Sequence, residues 1–191
     1  MNKEDIEKIA VLDFGSQYTQ LIARRIRELN IYSEIFHHQI SVEKLKKMNV
    51  KGIILSGGPS SVYDKNSPSL NLDLLNLGIP ILGVCYGLQL LLSETGGTIS
   101  KGEIGEYGHS VIEQVDENIL FKNIPNQISV WMSHTDKVQK LTDDWEILAV
   151  SKNNIISAIR HTYKTIFAVQ FHPEVTHTEN GDEIISNFLF K

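Results

Sequence analysis

Short apolar runs alternate with segments of helical periodicity through the first half of the chain. Four runs rich in β-forming residues predict buried strands: 9–14, 33–36, 52–55 and 79–84. Three segments between them predict helices: 16–29, 41–48 and 70–77. Ser16 is placed to cap the first helix, and Gly78 to end the third. Because strands that alternate with helices pair in parallel, this half predicts a parallel sheet.

The second half of the chain, from Gly96 onward, is richer in strand signals. Five runs separated by turn residues predict strands: 111–115, 128–132, 146–150, 155–160 and 166–171. A closing helix is predicted over about 179–190. A chain of 191 residues has room for one domain with a substantial core. We therefore predict a single α/β domain over 1–191, with a mainly parallel mixed sheet between two layers of helices.

Composition excludes several classes of protein. A net charge of −5 argues against a broad basic surface for nucleic acid. No apolar stretch approaches the ~18 residues of a membrane span, and the charged N-terminus is unlike a secretory signal. Cys85 is the only cysteine, which excludes an intramolecular disulfide and suits a reducing compartment. We predict a cytoplasmic protein with no nucleic-acid or membrane partner.

Cys85 lies where an apolar strand is predicted to give way to a helix. Gly83 and Gly87 flank it in the pattern G-x-C-x-G, which is typical of a nucleophile elbow with sulfur in place of the serine oxygen. The glycines permit the strained turn and the close approach of neighbouring backbone. A helix N-terminus also favours the thiolate form of the cysteine. Alone, the residue would be read as a structural cysteine; two further motifs change that interpretation.

The first of these motifs follows the apolar segment TIFAVQF near the C-terminus. His172 and Glu174 are two residues apart, and in extended backbone such residues point the same way. Glu174 would then hold the tautomer of the His172 imidazole. Cys85, His172 and Glu174 are the residue types of a catalytic triad, in which the histidine moves the proton of the thiol.

The second motif is the Gly57-Gly58-Pro59 turn after the predicted strand at 52–55. Backbone N–H groups exposed in this turn, together with the N–H of Tyr86, predict donors to a tetrahedral oxyanion. A tight turn of this kind is weak evidence by itself. The three elements together predict acyl-transfer chemistry.

The segments GVCYGLQ, SGGP and QFHPEVTHTENG resemble the class I, or triad, glutamine amidotransferase family over essentially the whole chain. This resemblance implies a flavodoxin-like α/β fold. VLDFGSQYTQLIARRIRE and VWMSHTDKV are more similar to the glutaminase domains of GMP synthases than to the anthranilate or carbamoyl-phosphate relatives.

The resemblance implies a role for each matching residue. Cys85 would attack the glutamine side-chain amide, with His172 as base and then acid and Glu174 as its partner. Gly58 and Tyr86 would form the oxyanion hole. The residues that would contact glutamine are Gln89, Ser133, His134, Thr135 and, less securely, Glu106. Thr135 stands where the family usually has glycine, so a positive φ would be harder to adopt there. No metal or cofactor is expected in this chain.

The resemblance also implies a partner. The ammonia would pass to an ATP pyrophosphatase domain or subunit that uses ATP and Mg²⁺ to convert XMP to GMP, and that synthetase domain is expected to be absent from this chain. Alternatives are the amidotransferase of another pathway, a cysteine hydrolase of similar fold, and a non-enzymatic interaction module. His134 and Asp136 form either a structural hydrogen-bonded pair or a device that signals occupancy of the synthetase.

Overall fold

The computed structural model describes residues 6–101 and 105–190. The helices are α1 (Thr19–Glu28), α2 (Val42–Lys47), a 3₁₀ helix (Leu72–Asn76), α3 (Tyr86–Glu94) and α4 (Gly181–Leu189). The strands are β1 (Lys8–Asp13), β2 (Ser33–His37), β3 (Val50–Leu55), β4 (Ile81–Val84), β5 (Thr98–Ser100), β6 (Glu106–Gln114), β7 (Gln127–His134), β8 (Lys137–Lys140), β9 (Trp145–Ser151), β10 (Ile156–His161) and β11 (Ile166–Val169). None of the helices in these ranges is long and apolar enough to cross a membrane.

A nine-stranded sheet has the order β2-β1-β3-β4-β11-β10-β9-β6-β7, and β5 pairs with β8 separately. Neighbouring strands are parallel from β2 to β11 and antiparallel from β11 to β7. In the pairing of β4 with β11, Val84 lies opposite Val169. The carboxyl ends of these two strands therefore lie side by side, where open α/β sheets place their ligand sites.

The side chains of β1 show how both faces of the sheet are covered. Ile9 and Val11 belong to a core that includes residues of α1 and α4. Ala10 and Leu12 belong to a second core that includes residues of α2 and α3. Because successive side chains of a strand point to opposite faces, helices pack on each side of the sheet. The predicted α/β fold with a mixed sheet between helical layers is confirmed.

Several boundaries differ from the predictions for local reasons. Ser16 does not cap α1, since its hydroxyl accepts the N–H of Tyr18 at 3.0 Å and closes a turn before the helix. The segment 70–77 forms only the short 3₁₀ helix, which Asn71 begins by accepting the N–H of Asp73. The pairing of β5 with β8 is absent from the sequence-based prediction, because two such short strands carry almost no periodic signal.

Gly87 is the position where α3 comes closest to the sheet. A Cβ added there would lie 2.6 Å from the carbonyl oxygen of Leu55 in β3. Because the contact would join the backbone of α3 to the backbone of β3, neither group could move aside easily. The glycine therefore allows the first turn of α3 to lie directly against the strand beside Cys85, as the G-x-C-x-G pattern predicts.

We expect Gly87→Ala to lower the free energy of unfolding by about 3 kcal/mol, the upper end of the overpacking range. Chemical denaturation measures the change. Gly78→Ala is the matched control, because Gly78 has a φ of +71° but a Cβ added to it would meet nothing within 4 Å. Its backbone strain alone should cost about 1 kcal/mol. Equal losses in the two variants would contradict the tight contact between α3 and β3.

Candidate active site

Cys85 occupies the sharp turn between β4 and α3. Its φ of 53° and ψ of −102° lie outside the conformations that L-residues normally adopt. Such strain costs about 1–3 kcal/mol and persists only where the surrounding structure holds it. Here the Cys85 N–H donates to the carbonyl of Val169 at 2.8 Å, which ties the turn to β11. The sharp strand-to-helix turn predicted from the glycine pattern is present.

His172 and Glu174 meet through a turn rather than along a strand. β11 ends at Val169 and residues 173–174 form a turn, so the extended backbone expected between the two residues is wrong. The side chains are nevertheless paired, with His172 Nδ1 2.7 Å from Glu174 Oε1. Glu174 is completely buried and His172 nearly so. A buried carboxylate at this distance fixes the orientation of the imidazole.

Three backbone contacts hold this pair in place. The N–H of His172 donates to the carbonyl of Trp131 at 3.0 Å, and the hydroxyl of Thr178 donates to the carbonyl of His172 at 2.7 Å. Arg25 of α1 reaches the carbonyl of Glu174 through its Nε at 3.0 Å. The turn is therefore anchored to β7 on one side and to α1 on the other.

The environment of His172 favours its protonated form. Burial lowers the pKa of the ring, but the hydrogen bonds with Cys85 and then Glu174, and the charges of both, raise the pKa of His172 to about 10. The Tyr18 ring lies against the imidazole in an edge-on arrangement, with 5.1 Å between centroids. At neutral pH the ring consequently carries a proton.

The Gly57-Gly58 turn packs against both catalytic candidates. A Cβ on Gly57 would lie 3.3 Å from Cε1 of His172 and 3.7 Å from Cβ of Cys85. A Cβ on Gly58 would lie 2.8 Å from the carbonyl oxygen of Phe14. Tyr86 is the first residue of α3, so the helix itself offers no acceptor for its N–H. Both proposed oxyanion donors thus lie beside Cys85.

A cavity of about 660 Å³ opens in front of Cys85 and His172. The predicted oxyanion residues Gly58 and Tyr86 line it, as do four of the five predicted glutamine contacts: Gln89, Ser133, His134 and Thr135. Thr135 is not among the described residues with positive φ, so its side chain imposes no strain of the kind expected. Its hydroxyl lies 2.6 Å from the hydroxyl of Tyr107.

The fifth predicted glutamine contact, Glu106, lies outside the cavity lining and behind His134. Its carboxylate is 3.4 Å from His134 Nε2 and accepts hydrogen bonds from Ser151 and Asn153. The His134 hydrogen bond lowers the pKa of Glu106 more than burial raises it. Glu106 therefore contacts the ring of His134, and its contact with glutamine stays a prediction.

His134 and Asp136 are joined through the main chain. His134 Nδ1 lies 2.8 Å from the backbone carbonyl of Asp136, whereas the Asp136 carboxylate accepts a hydrogen bond from the hydroxyl of Ser61. A structural link between the 134–136 turn and the loop after β3 is therefore present. In the described ranges 6–101 and 105–190, no group of three or more His, Cys, Asp or Glu side chains is arranged to hold a metal.

Two residues near the triad were not predicted from the sequence. Tyr18 lies against His172, but an aromatic residue before a helix gives no signal of such a contact. Gln170 is completely buried and its amide nitrogen lies 3.7 Å from the sulfur of Cys85. The available signal was an amide side chain two positions before His172, at the end of the apolar run after Thr165 in TIFAVQF.

Known proteins resemble this chain over most of its length. The chain is 48% identical to a glutamine-hydrolysing GMP synthase of Agathobacter rectalis over 97% of its length, and 51% identical to one of Lactobacillus johnsonii over all of it. It covers 35% and 37% of those two proteins. The chain thus spans about a third of the length of the curated relatives it matches.

A solved structure from Thermoplasma acidophilum, provisionally assigned as one of the subunits of GMP synthase, superposes with a TM-score of 0.84 and 30% identity. The match covers 97% of this chain and 93% of that one. A glutamine amidotransferase of Thermotoga maritima shares the fold with a TM-score of 0.68 at 21% identity, over 89% of this chain and 76% of that one. The family model of class I glutamine amidotransferases matches residues 10–191, and the chain belongs to that family.

Proposed function

We propose that this chain is the glutamine-hydrolysing component of a GMP synthase. The observation that carries the proposal is the strained Cys85 at the wall of a cavity, beside the buried His172–Glu174 pair. The similarity to GMP synthases supports the pathway. The chain would release ammonia from glutamine and deliver it to a synthetase that converts XMP to GMP.

In the first half-reaction, the thiolate of Cys85 attacks the side-chain amide carbon of glutamine and forms a carbon–sulfur bond. Backbone N–H groups of Gly58 and Tyr86 would stabilise the oxyanion of the tetrahedral intermediate. Acting as base, His172 has taken the proton of the Cys85 thiol before the attack, and it holds this proton at neutral pH because its pKa is raised to about 10. It gives this proton to the departing nitrogen, and ammonia leaves as the carbon–nitrogen bond breaks.

The second half-reaction removes the γ-glutamyl thioester. His172, now neutral, takes a proton from water as the water oxygen attacks the thioester carbon. Breaking the carbon–sulfur bond releases glutamate and restores the Cys85 thiolate beside the protonated imidazole. Glu174 holds the ring throughout, because its carboxylate lies 2.7 Å from His172 Nδ1.

Glutamine would lie in the cavity that Gln89, Ser133 and Thr135 line with Cys85. The carbonyl of Ser133, 3.8 Å from the Cys85 sulfur, places the end of β7 next to the reacting atom. Polar groups of this turn are suited to the amino and carboxylate groups of the substrate. Glu106 would act indirectly, through its contact with His134.

The remaining chemistry is assigned to the partner. ATP and Mg²⁺ would bind an ATP pyrophosphatase domain or subunit, since this chain spans only 35–37% of the two relatives. Because the reaction uses cytosolic nucleotides and the only cysteine must stay reduced, a cytoplasmic location remains our prediction.

The mechanism predicts that the titration of His172 depends on Glu174. In the wild-type chain, the imidazole resonance of His172 should titrate near pH 10. Glu174→Gln removes the negative charge beside Nδ1, so the titration midpoint should move to lower pH. Histidine NMR measures the shift, with exposed His177 as the internal control. An unchanged midpoint would contradict the role of Glu174.

The same pair links stability to pH. The pKa of His172 is raised from 6.5 to about 10 in the folded chain. Protonation of the ring therefore stabilises the folded chain fully below about pH 6.5, and this contribution is lost as pH rises through 10. The advantage of wild type over Glu174→Gln in the free energy of unfolding should therefore shrink between these pH values. Denaturation of both chains at several pH values measures it.

The proposed function is tested by mixing the chain with an ATP pyrophosphatase that makes GMP from XMP, ATP and Mg²⁺. With glutamine as nitrogen donor, Cys85→Ala should abolish GMP formation, because no thioester can form. With ammonia as donor, GMP formation should equal that of wild type. A glutamine-analogue diazoketone should label the wild-type chain and leave Cys85→Ala unlabelled.

Ser93→Ala, on the same helix α3, is the matched control and should keep glutamine-dependent synthesis. Glutamine-dependent GMP formation by Cys85→Ala at the wild-type rate would overturn the proposal. Restoration of glutamine-dependent product only by a synthetase of another pathway would overturn the assignment to GMP synthesis.

A further inference from the structure

Gln170 is a polar side chain with no exposure to solvent, next to the sulfur of Cys85. It follows β11 directly, and its backbone N–H donates to the carbonyl of Ser157 at 2.8 Å. The side-chain Nε2 lies 3.7 Å from Cys85 Sγ. Burying an amide without partners is costly, so this contact calls for a physical explanation.

The orientation of the Gln170 amide follows from its neighbours. Gln89 Nε2 lies 3.2 Å from the backbone carbonyl of Asp136, which can only accept a hydrogen bond. The same nitrogen lies 3.4 Å from Gln170 Oε1 and donates to it. With its oxygen engaged by Gln89, Gln170 must present its NH₂ group to the sulfur.

We propose that Gln170 is a further catalytic residue, which donates a hydrogen bond from Nε2 to the thiolate of Cys85. The assignment rests on the proposed function only in taking Cys85 as the nucleophile. The amide belongs to the chain itself and is present before glutamine binds. It therefore preorganises the charged sulfur for attack.

The other contacts of the sulfur show what this donor adds. The Ser133 carbonyl, 3.8 Å away, can accept a hydrogen bond from the thiol form but offers nothing to the thiolate. An N–H donor binds the thiolate more strongly than the thiol, because hydrogen bonds to a charged acceptor are stronger than those to a neutral one. Gln170 thus favours the ionised form from within the core, while His172 does so from the cavity wall.

The test uses the reactivity of the only cysteine, so no glutamine is needed. Iodoacetamide alkylates the thiolate, and mass spectrometry follows the rate on the full chain from pH 5 to 10. Gln170→Met keeps the length of the side chain and removes the donor. We expect the midpoint of the alkylation profile to rise by about one to two pH units, with a ~10- to 100-fold slower reaction at low pH.

Ser157→Ala is the matched control. It removes a buried hydroxyl from the adjacent strand β10, whose hydrogen bond goes to the carbonyl of Ile155 and not to the sulfur. Its alkylation profile should equal that of wild type. Circular dichroism of each variant establishes that the fold is intact.

Gln170→Glu provides a second, nearly isosteric variant. Where its carboxyl group is ionised it replaces the donor with an acceptor of like charge, so the alkylation rate should fall further below that of Gln170→Met; where it is protonated, its O–H can donate to the sulfur and the rate should recover. An alkylation profile equal to that of wild type in the folded Gln170→Met variant would overturn the proposal.

A measurement on the wild-type chain avoids substitution altogether. The ¹⁵N side-chain amide resonance of Gln170 should titrate with the midpoint of Cys85 alkylation and lose this titration once Cys85 is alkylated. A resonance that does not respond to Cys85 would also overturn the proposal. If these results hold but no glutamine-dependent GMP forms with the synthetase, the proposed function fails and the role of Gln170 stands.

Discussion

The parallel pairing of β4 with β11 is the constraint on which the candidate active site depends. Val84 and Val169 lie opposite each other, so both strands end at the same level of the sheet. The next residues, Cys85 and Gln170, therefore begin side by side, and the hydrogen bond from the Cys85 N–H to the Val169 carbonyl ties Cys85 to the end of β11. A slip of one residue would turn every side chain of the shifted strand to the other face and separate the sulfur from its neighbours.

The strained backbone of Cys85 follows from the same packing. Both elements that meet at Cys85 are buried, since β4 is covered on its two faces and α3 lies against β3. Their burial is worth far more than the ~1–3 kcal/mol that an unfavourable φ costs. Gly83 in β4 and Gly87 in α3 both lack the Cβ that would hold α3 away from the sheet. The core thus keeps a conformation that Cys85 would not adopt by itself.

Sequence patterns predicted the features that depend on neighbours along the chain. The elbow at Cys85, the alternating strands and helices, and the pairing of His172 with Glu174 all came from local residue types. The backbone conformation predicted for that pairing was wrong, because a turn at Pro173 brings the two residues together where an extended strand was expected. The position of Glu106 behind His134 and the contact of Gln170 with Cys85 depend on strand register. The local pattern marks Gln170 as a polar residue in an apolar segment, but it does not show which residue Gln170 contacts.

The antiparallel half of the sheet completes the site that the parallel half begins. β7 supplies Ser133 at the cavity, and its Trp131 carbonyl accepts the N–H of His172 at 3.0 Å. The turn after β7 reaches the nucleophile by a second route, from the Asp136 carbonyl through Gln89 and Gln170 to the sulfur. The segment that would hold glutamine is therefore hydrogen-bonded to both members of the Cys85–His172 pair. In the proposed mechanism, a shift of that segment on glutamine binding would alter the distance between His172 as proton donor and Cys85 as nucleophile, so binding and chemistry would share one set of contacts.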